Sequence, residues 1–193
     1  MPNKPRNIYS NNLYHVYNRS TEKRTIFYTE KDYNRFLNKM FFYSQETNVS
    51  ILSYAILTNH FHLLLKEPTS KVGDLEGRSA ISKFIAQLLN SYTKYFNYNK
   101  EHSGRIFQGP FKSKIIENDS YLQNIIIYIN LNPVKHKIVK DINDWPYTSH
   151  HEFLNKICEN KRITTQNDYF SAEDYKKIIV NRVEIIKKMN LEF

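Results

Sequence analysis

The segment Asn59-His-Phe-His-Leu-Leu-Leu65 sets two imidazoles two residues apart in a run of strand-forming side chains. On a strand, positions i and i+2 project from one face, so His60 and His62 stand together while Phe61 and Leu63 point the other way, into a core. Two imidazoles on a rigid strand can give two ligands to a divalent metal ion. The same spacing also suits a half-buried pair that holds nothing. A second segment, Tyr121-Leu-Gln-Asn-Ile-Ile-Ile-Tyr-Ile-Asn-Leu-Asn-Pro-Val-Lys135, reads as helix, where Tyr128 and Asn132 share a face one turn apart. That puts a phenol, a nucleophile once activated, beside an amide oxygen. On periodicity alone the plainer reading wins, a packed ring after three isoleucines followed by a residue that stops a helix before proline.

These residues need elements to hold them. Residues 13–19 alternate and are rich in β formers, which predicts a first strand. Tyr33, Phe36, Leu37 and Met40 recur at helical spacing behind Thr29 or Glu30, predicting a helix to about residue 44. Residues 49–57 and 61–66 read as paired strands around Thr58-Asn59, and the breakers at 67–74 read as a loop. An amphipathic helix is expected from about 80 to 96. Short strand-like runs follow at 105–108 and 111–116, separated by Gly109-Pro110. A helix from 121 to about 131 should halt at Pro133, which can open a short helix over 134–139. A last helix is expected over about 172–190, its stripe of Ile179, Val183 and Ile186 docked on the core. The order implies an α+β fold, an antiparallel sheet with helices on one side.

Composition bounds the function. The chain has 193 residues and a net charge of +9, from 28 Lys and Arg against 19 Asp and Glu, so its field favours a polyanion. Fifteen Tyr and 12 Phe suit base stacking as well as core packing. The longest apolar run, residues 125–129, is far below the roughly 18 residues of a membrane span. The opening Met-Pro-Asn-Lys-Pro-Arg lacks a signal-peptide core, so a cytoplasmic protein is expected. A single cysteine, Cys158, excludes an intrachain disulfide and a four-thiolate zinc site. Four glycines form no phosphate-cradling loop, which argues against ATP or NAD chemistry. His15 shares a face with Tyr17 and Arg19 and reads as a buried, satisfied histidine. His102, His136, His150 and His151 read as surface residues.

The two segments occur with Tyr14-His-Val-Tyr-Asn-Arg19, Ala55-Ile-Leu-Thr-Asn-His60, Gly104-Arg-Ile-Phe-Gln-Gly109 and Asp144-Trp-Pro-Tyr-Thr-Ser149. In that order, from Leu13 to Ser149, they resemble the single-tyrosine HUH transposases of the insertion-sequence-200 type, most nearly the REP-associated tyrosine transposases. The resemblance implies a ferredoxin-like, RRM-like antiparallel sheet with the His-hydrophobic-His motif on a central strand and the tyrosine on a following helix. It implies a transposase domain over 1–149 and a C-terminal helical extension over 150–193, docked on it. It also implies cleavage and rejoining of single-stranded, hairpin-containing DNA through a 5′-phosphotyrosine at Tyr128. The ligands of Mg²⁺ or Mn²⁺ would be His60, His62 and Asn132, where better-known members carry Gln in place of Asn132. Arg19 matches a family motif; Arg105, Lys112, Lys114 and Lys135 lie around the helix and could meet phosphates. Monomers and homodimers both accord with the resemblance. Two other classes compete: a hairpin-binding protein without catalysis, which needs neither Tyr128 nor metal, and a hydrolytic phosphodiesterase, which needs a second His-x-Thr/Ser pair that the sequence lacks.

Overall fold

The computed structural model describes residues 8–69, 79–154, 162–165 and 171–191. The elements are β1 (Leu13–Arg19), α1 (Glu30–Thr47), β2 (Ser50–Ile56), β3 (His60–Lys66), α2 (Ala80–Asn99), β4 (Lys112–Ile115), α3 (Asp119–Lys135), α4 (His150–Phe153) and α5 (Ala172–Leu191). Four strands form one antiparallel sheet in the order β2-β3-β1-β4. The strand carrying both histidines is therefore central. Its register on β1 sets Tyr17 opposite His62 and Arg19 opposite His60. Of the expected loop at 67–74, residues 70–74 lie outside the described residues, as does Cys158.

Helices cover both faces of the sheet, not the one side expected from the element order. Phe61, Leu63 and Leu65 of β3 join Tyr14 and Val16 of β1 in a core closed by Phe36 and Met40 of α1 and by Phe84 and Leu88 of α2. Leu64, on the other face, joins Leu52 and Ala55 of β2 in a second core under α3, with Leu122, Ile126 and Ile129. The cause lies in β3, whose Leu64 makes its second face apolar too and gives the isoleucine run of α3 a surface to bury. α3 packs over β2 and β3. Towards β4 the same face carries Lys112 and Lys114, both exposed, and the half-buried Tyr17.

Pro133 does not halt the helix; α3 runs through it to Lys135. A proline inside a helix leaves one carbonyl without its N–H donor. Here Asn132 Nδ2 donates to the carbonyls of Tyr128 at 2.8 Å and Ile129 at 3.3 Å. A side chain thus supplies the donor that the proline ring removes. At the other end of the helix Asn118 accepts from the Tyr121 N–H, an ordinary N-cap.

Of the two short runs expected before α3, only the second forms a strand. The first is held by a single bridge, Phe107 to Ser20, and by the Gln108 N–H donating to the Arg19 carbonyl, so it wraps the end of β1 instead of extending the sheet. The edge of β2 is covered by residues 147–149, through Tyr147 O to Ile56 N and Ser149 N to Tyr54 O, and by Thr165 N to Ile51 O. Glu152, buried, ties this layer by accepting from Tyr54 Oη and from the Ile163 and Thr164 amides. α5 packs on α3, with Tyr175 and Ile179 fully buried. His150, expected at the surface, is buried beneath α5, its Nδ1 3.0 Å from Tyr175 Oη.

Candidate active site

His60 and His62 project from β3 on the face that α3 covers, with ring centroids 5.3 Å apart. Tyr128 of α3 meets His62 edge-on at 5.8 Å. One turn beyond Asn132, at the end of α3, His136 lies 4.9 Å from His60. Residues 128, 132 and 136 share one helix face. That face therefore runs alongside His62 and His60, and Asn132 falls between the two ring contacts. The structure brings the rings of Tyr128, His60 and His62 together, with Asn132 on the helix face of Tyr128.

The hydrogen bonds decide which atoms are left over. His60 Nδ1 is 2.6 Å from Asn59 Oδ1, and His62 Nδ1 is 2.9 Å from His15 Nε2. Each histidine thus has its Nδ1 occupied and its Nε2 without a partner among the described residues. Asn132 has both amide hydrogens spent on α3 carbonyls, while its Oδ1 is buried and accepts nothing. An orphaned buried acceptor costs about 1–3 kcal/mol unless something fills its place. Two imidazole nitrogens and one amide oxygen are a neutral donor set of the kind that holds a divalent ion weakly and leaves room for phosphate oxygens. His15 and His136 do not complete an all-histidine site: among the described residues no three His, Cys, Asp or Glu side chains are placed to hold a metal.

All four imidazoles are biased to the neutral form that can ligate. Burial, followed by Lys114, lowers His15 to about 4. Burial, followed by His136 and Arg19, lowers His60 to about 4. Burial, followed by the neighbouring His15, His60 and His136 and by Lys135, lowers His62 to about 2. His136 is lowered by burial and by Lys135. Tyr128 moves the other way: burial, then Tyr17 and Tyr121, raise its phenol above the usual value of 10. No hydrogen bond engages its hydroxyl among the described residues, and Lys135 Nζ lies 4.7 Å from its ring centre.

The expected DNA-binding cations frame this face unevenly. Arg19 is exposed at the end of β1, Lys112 and Lys114 on β4, and Lys135 on α3, while Arg105 is exposed on the loop that wraps Arg24. Lys114 Nζ stands 4.9 Å from the Tyr121 ring centre. None of the five is ion-paired among the described residues, so their charge is free to meet an anion. Two grooves of about 550 and 560 Å³ are lined by α1 and α2 residues and hold none of the site residues.

Three residues enter that the sequence alone leaves aside or casts differently. Asn59 reads there only as part of a turn. His15 is buried and satisfied as expected, but its partner is one of the candidate ligands. His136 is exposed as expected, yet its four-residue spacing from Asn132 is the signal that joins it to the site.

Residues 8–132 match the family described as Transposase IS200 like. A Haemophilus influenzae (strain KW20 Rd) protein, named provisionally as a REP-associated tyrosine transposase, is 31% identical over 102 residues, covering 52% of this chain and 58% of its own. A REP-associated tyrosine transposase of Escherichia coli K12 is 27% identical over 101 residues, covering 52% of this chain and 54% of its own. The chain spans about half the length of the curated relatives it matches. A solved REP-associated tyrosine transposase bound to a REP hairpin shares the fold, with a TM-score of 0.61 at 19% identity over 89% of this chain and 96% of that one.

Proposed function

The chain belongs to the IS200-like transposase family, and we propose that it cuts and rejoins hairpin-bearing single-stranded DNA with Tyr128 as nucleophile. The observation that carries this reading is Tyr128 standing edge-on to His62, beside two histidines, with its hydroxyl and both Nε2 atoms unengaged among the described residues. The REP hairpin held by the solved structural neighbour motivates the substrate class.

In the proposed reaction the Tyr128 oxygen attacks a backbone phosphorus as its phenolic proton leaves to solvent. The bond from phosphorus to the 3′-oxygen breaks, giving a 5′-phosphotyrosine and a 3′-OH that takes up a proton. A 3′-OH from another strand then attacks the phosphotyrosine, restoring the phosphodiester and the phenol. One phosphoester replaces another at each step, so no ATP is consumed.

Mg²⁺ or Mn²⁺, when bound, would supply positive charge to the phosphate oxygens and to the charge developing in the transition state. His60, His62 and Asn132 would hold it. Burial of Tyr128 orients its ring from α3 and raises its pKa, which makes activation of the phenol necessary near neutral pH. Arg19, Lys112, Lys114, Lys135 and Arg105 would meet the strand through its phosphates.

The test is a covalent-adduct assay with labelled hairpin DNA and Mg²⁺ or Mn²⁺, resolved by denaturing electrophoresis. An adduct present in the unmutated protein and absent in Tyr128→Phe, in His60→Ala and without metal supports the reading. Hairpin binding without any adduct, equal in Tyr128→Phe, would replace it with a binding protein. Cleavage that survives Tyr128→Phe would discard the tyrosine mechanism.

A further inference from the structure

We infer that Asn59 and His15 are positioning residues, each fixing the tautomer of one candidate metal ligand so that Nε2 of both histidines carries the free lone pair. The inference rests on the reading of His60 and His62 as ligands and adds the layer behind them.

The case for Asn59 follows from donor and acceptor counting. Asn59 Nδ2 lies 2.7 Å from the carbonyl of Lys23, which can only accept, so this end of the amide must be the donor. Its Oδ1 is then the atom 2.6 Å from His60 Nδ1, and it too can only accept. His60 must therefore carry its proton on Nδ1, leaving Nε2 unprotonated. The Lys23 carbonyl is held by a tight turn in which Glu22 and Lys23 both have φ of 57°, a left-handed conformation that costs non-glycine residues energy. The turn is braced by Ser20, whose N–H donates to the Asn59 carbonyl and whose hydroxyl donates to the Arg24 carbonyl.

His15 is the corresponding partner of His62 across the β1–β3 ladder, an imidazole nitrogen that accepts from His62 when its own proton sits on Nδ1. Its ring lies beside those of Tyr17 and His62, at 5.1 Å from each, with those two 5.6 Å apart, and its Nε2 is 2.9 Å from His62 Nδ1. The two nitrogens share one proton, and when it sits on His62 Nδ1 the Nε2 of His62 is left as the ligand. A ligating histidine ordinarily gives its second N–H to a carboxylate, a carbonyl or water. Here both partners are neutral side chains, an amide and an imidazole. The layer adds no negative charge, and the positive charge of an ion held in front of it stays available to phosphate.

The experiment measures Mn²⁺ binding by the loss of the free-ion electron paramagnetic resonance signal, with the full chain and no DNA. His15→Phe keeps a ring without an acceptor, and Asn59→Leu removes the amide. Each is expected to weaken Mn²⁺ binding by roughly 10- to 100-fold. His15→Gln, whose Oε1 stands near the place of the imidazole Nε2, should recover most of the affinity; a merely structural role for the ring would not be rescued by Gln. Long-range ¹H–¹⁵N spectra of the unmutated, metal-free protein give a second readout that needs no variant: both His60 and His62 should carry the proton on Nδ1. A proton on Nε2 of either, or unchanged Mn²⁺ affinity in His15→Phe and Asn59→Leu while His60→Ala abolishes it, overturns the inference alone. Mn²⁺ binding indifferent to His60→Ala and His62→Ala overturns the ligand reading together with it.

Discussion

The side-chain amide of Asn132 takes the place of the backbone N–H that Pro133 lacks, donating to Ile129 O at 3.3 Å and to Tyr128 O at 2.8 Å. One residue thereby keeps α3 continuous below Tyr128 and, on the helix face that meets the histidines, keeps a buried Oδ1 without a partner among the described residues. The two jobs use opposite ends of the same amide, which fixes its orientation.

Asn132→Ala should therefore destabilise the chain by about 1–3 kcal/mol, the cost of leaving buried carbonyls unpaired. In a Pro133→Ala background the backbone donor returns, and the same substitution should cost less. Urea denaturation of the two single variants and the double variant gives the coupling directly. Additive effects would mean that the Asn132 amide does not substitute for the proline.

Acidification should destabilise the fold before any carboxylate is titrated. His15 and His60 are held at about 4, and His62 lower still, against 6.5 for the free side chain. Between about pH 6.5 and 4 the unfolded chain binds more protons than the folded one, so this stability is whole above 6.5 and drains away as the pH falls. Glu67, raised by burial and held back by the first amides of α2, acts with the opposite sign. The urea midpoint is expected to drop from pH 7 to pH 5, and to drop less in His15→Gln and His60→Gln. A midpoint flat over that range would contradict the burial of these rings.

What the sequence shows and what it hides divide along physical lines. β1, the β2–β3 pair and α2 are readable because alternation and helical periodicity are local properties of the chain. The face shared by His60 and His62 is readable for the same reason. Pro133 misleads because the rule for proline concerns backbone donors, and the replacement donor is the side chain of the residue before it. The pairing of His15 with His62 depends on strand register, which spacing within either strand does not contain. His150 reads as a surface residue because its burial is supplied by Tyr175, from a helix beyond it in the chain. The meeting of Tyr128 with His62 joins two distant segments; it follows from the ordered resemblance to a family, and the periodicity of either segment alone leaves Tyr128 as a packed ring.

DNA affinity should fall with salt, and the slope should depend on the β4 edge. Lys112 and Lys114 are exposed and unpaired, so each phosphate they meet releases condensed counterions. Lys112→Ala with Lys114→Ala should lower the slope of log affinity against log salt by about 0.7 for each single-strand phosphate left unneutralised. Lys31→Ala with Arg35→Ala, on the exposed side of α1 across the sheet, serves as the control and should leave the slope alone. Fluorescence anisotropy at four or five salt concentrations separates the two. Equal effects from both pairs would assign binding to net charge and not to this face.

The rate of adduct formation should climb with pH through the physiological range. Tyr128 is pushed above 10 by burial and then by Tyr17 and Tyr121, so the phenolate is a minor species at neutral pH. If the phenol must lose its proton before attack, the single-turnover rate rises about tenfold for each pH unit below that pKa. The candidate ligands do not confuse the profile, because His60 at about 4 and His62 at about 2 are already neutral throughout pH 6.5–9. Quench-flow measurement at saturating DNA and metal over that window should give a slope near +1 with no descending limb. A plateau reached below pH 8 would show that proton loss from Tyr128 is not the titration that limits the step. A falling limb would assign control to a group that must keep its proton, with the exposed cations around Tyr128, Lys135 first, as the residues to substitute next.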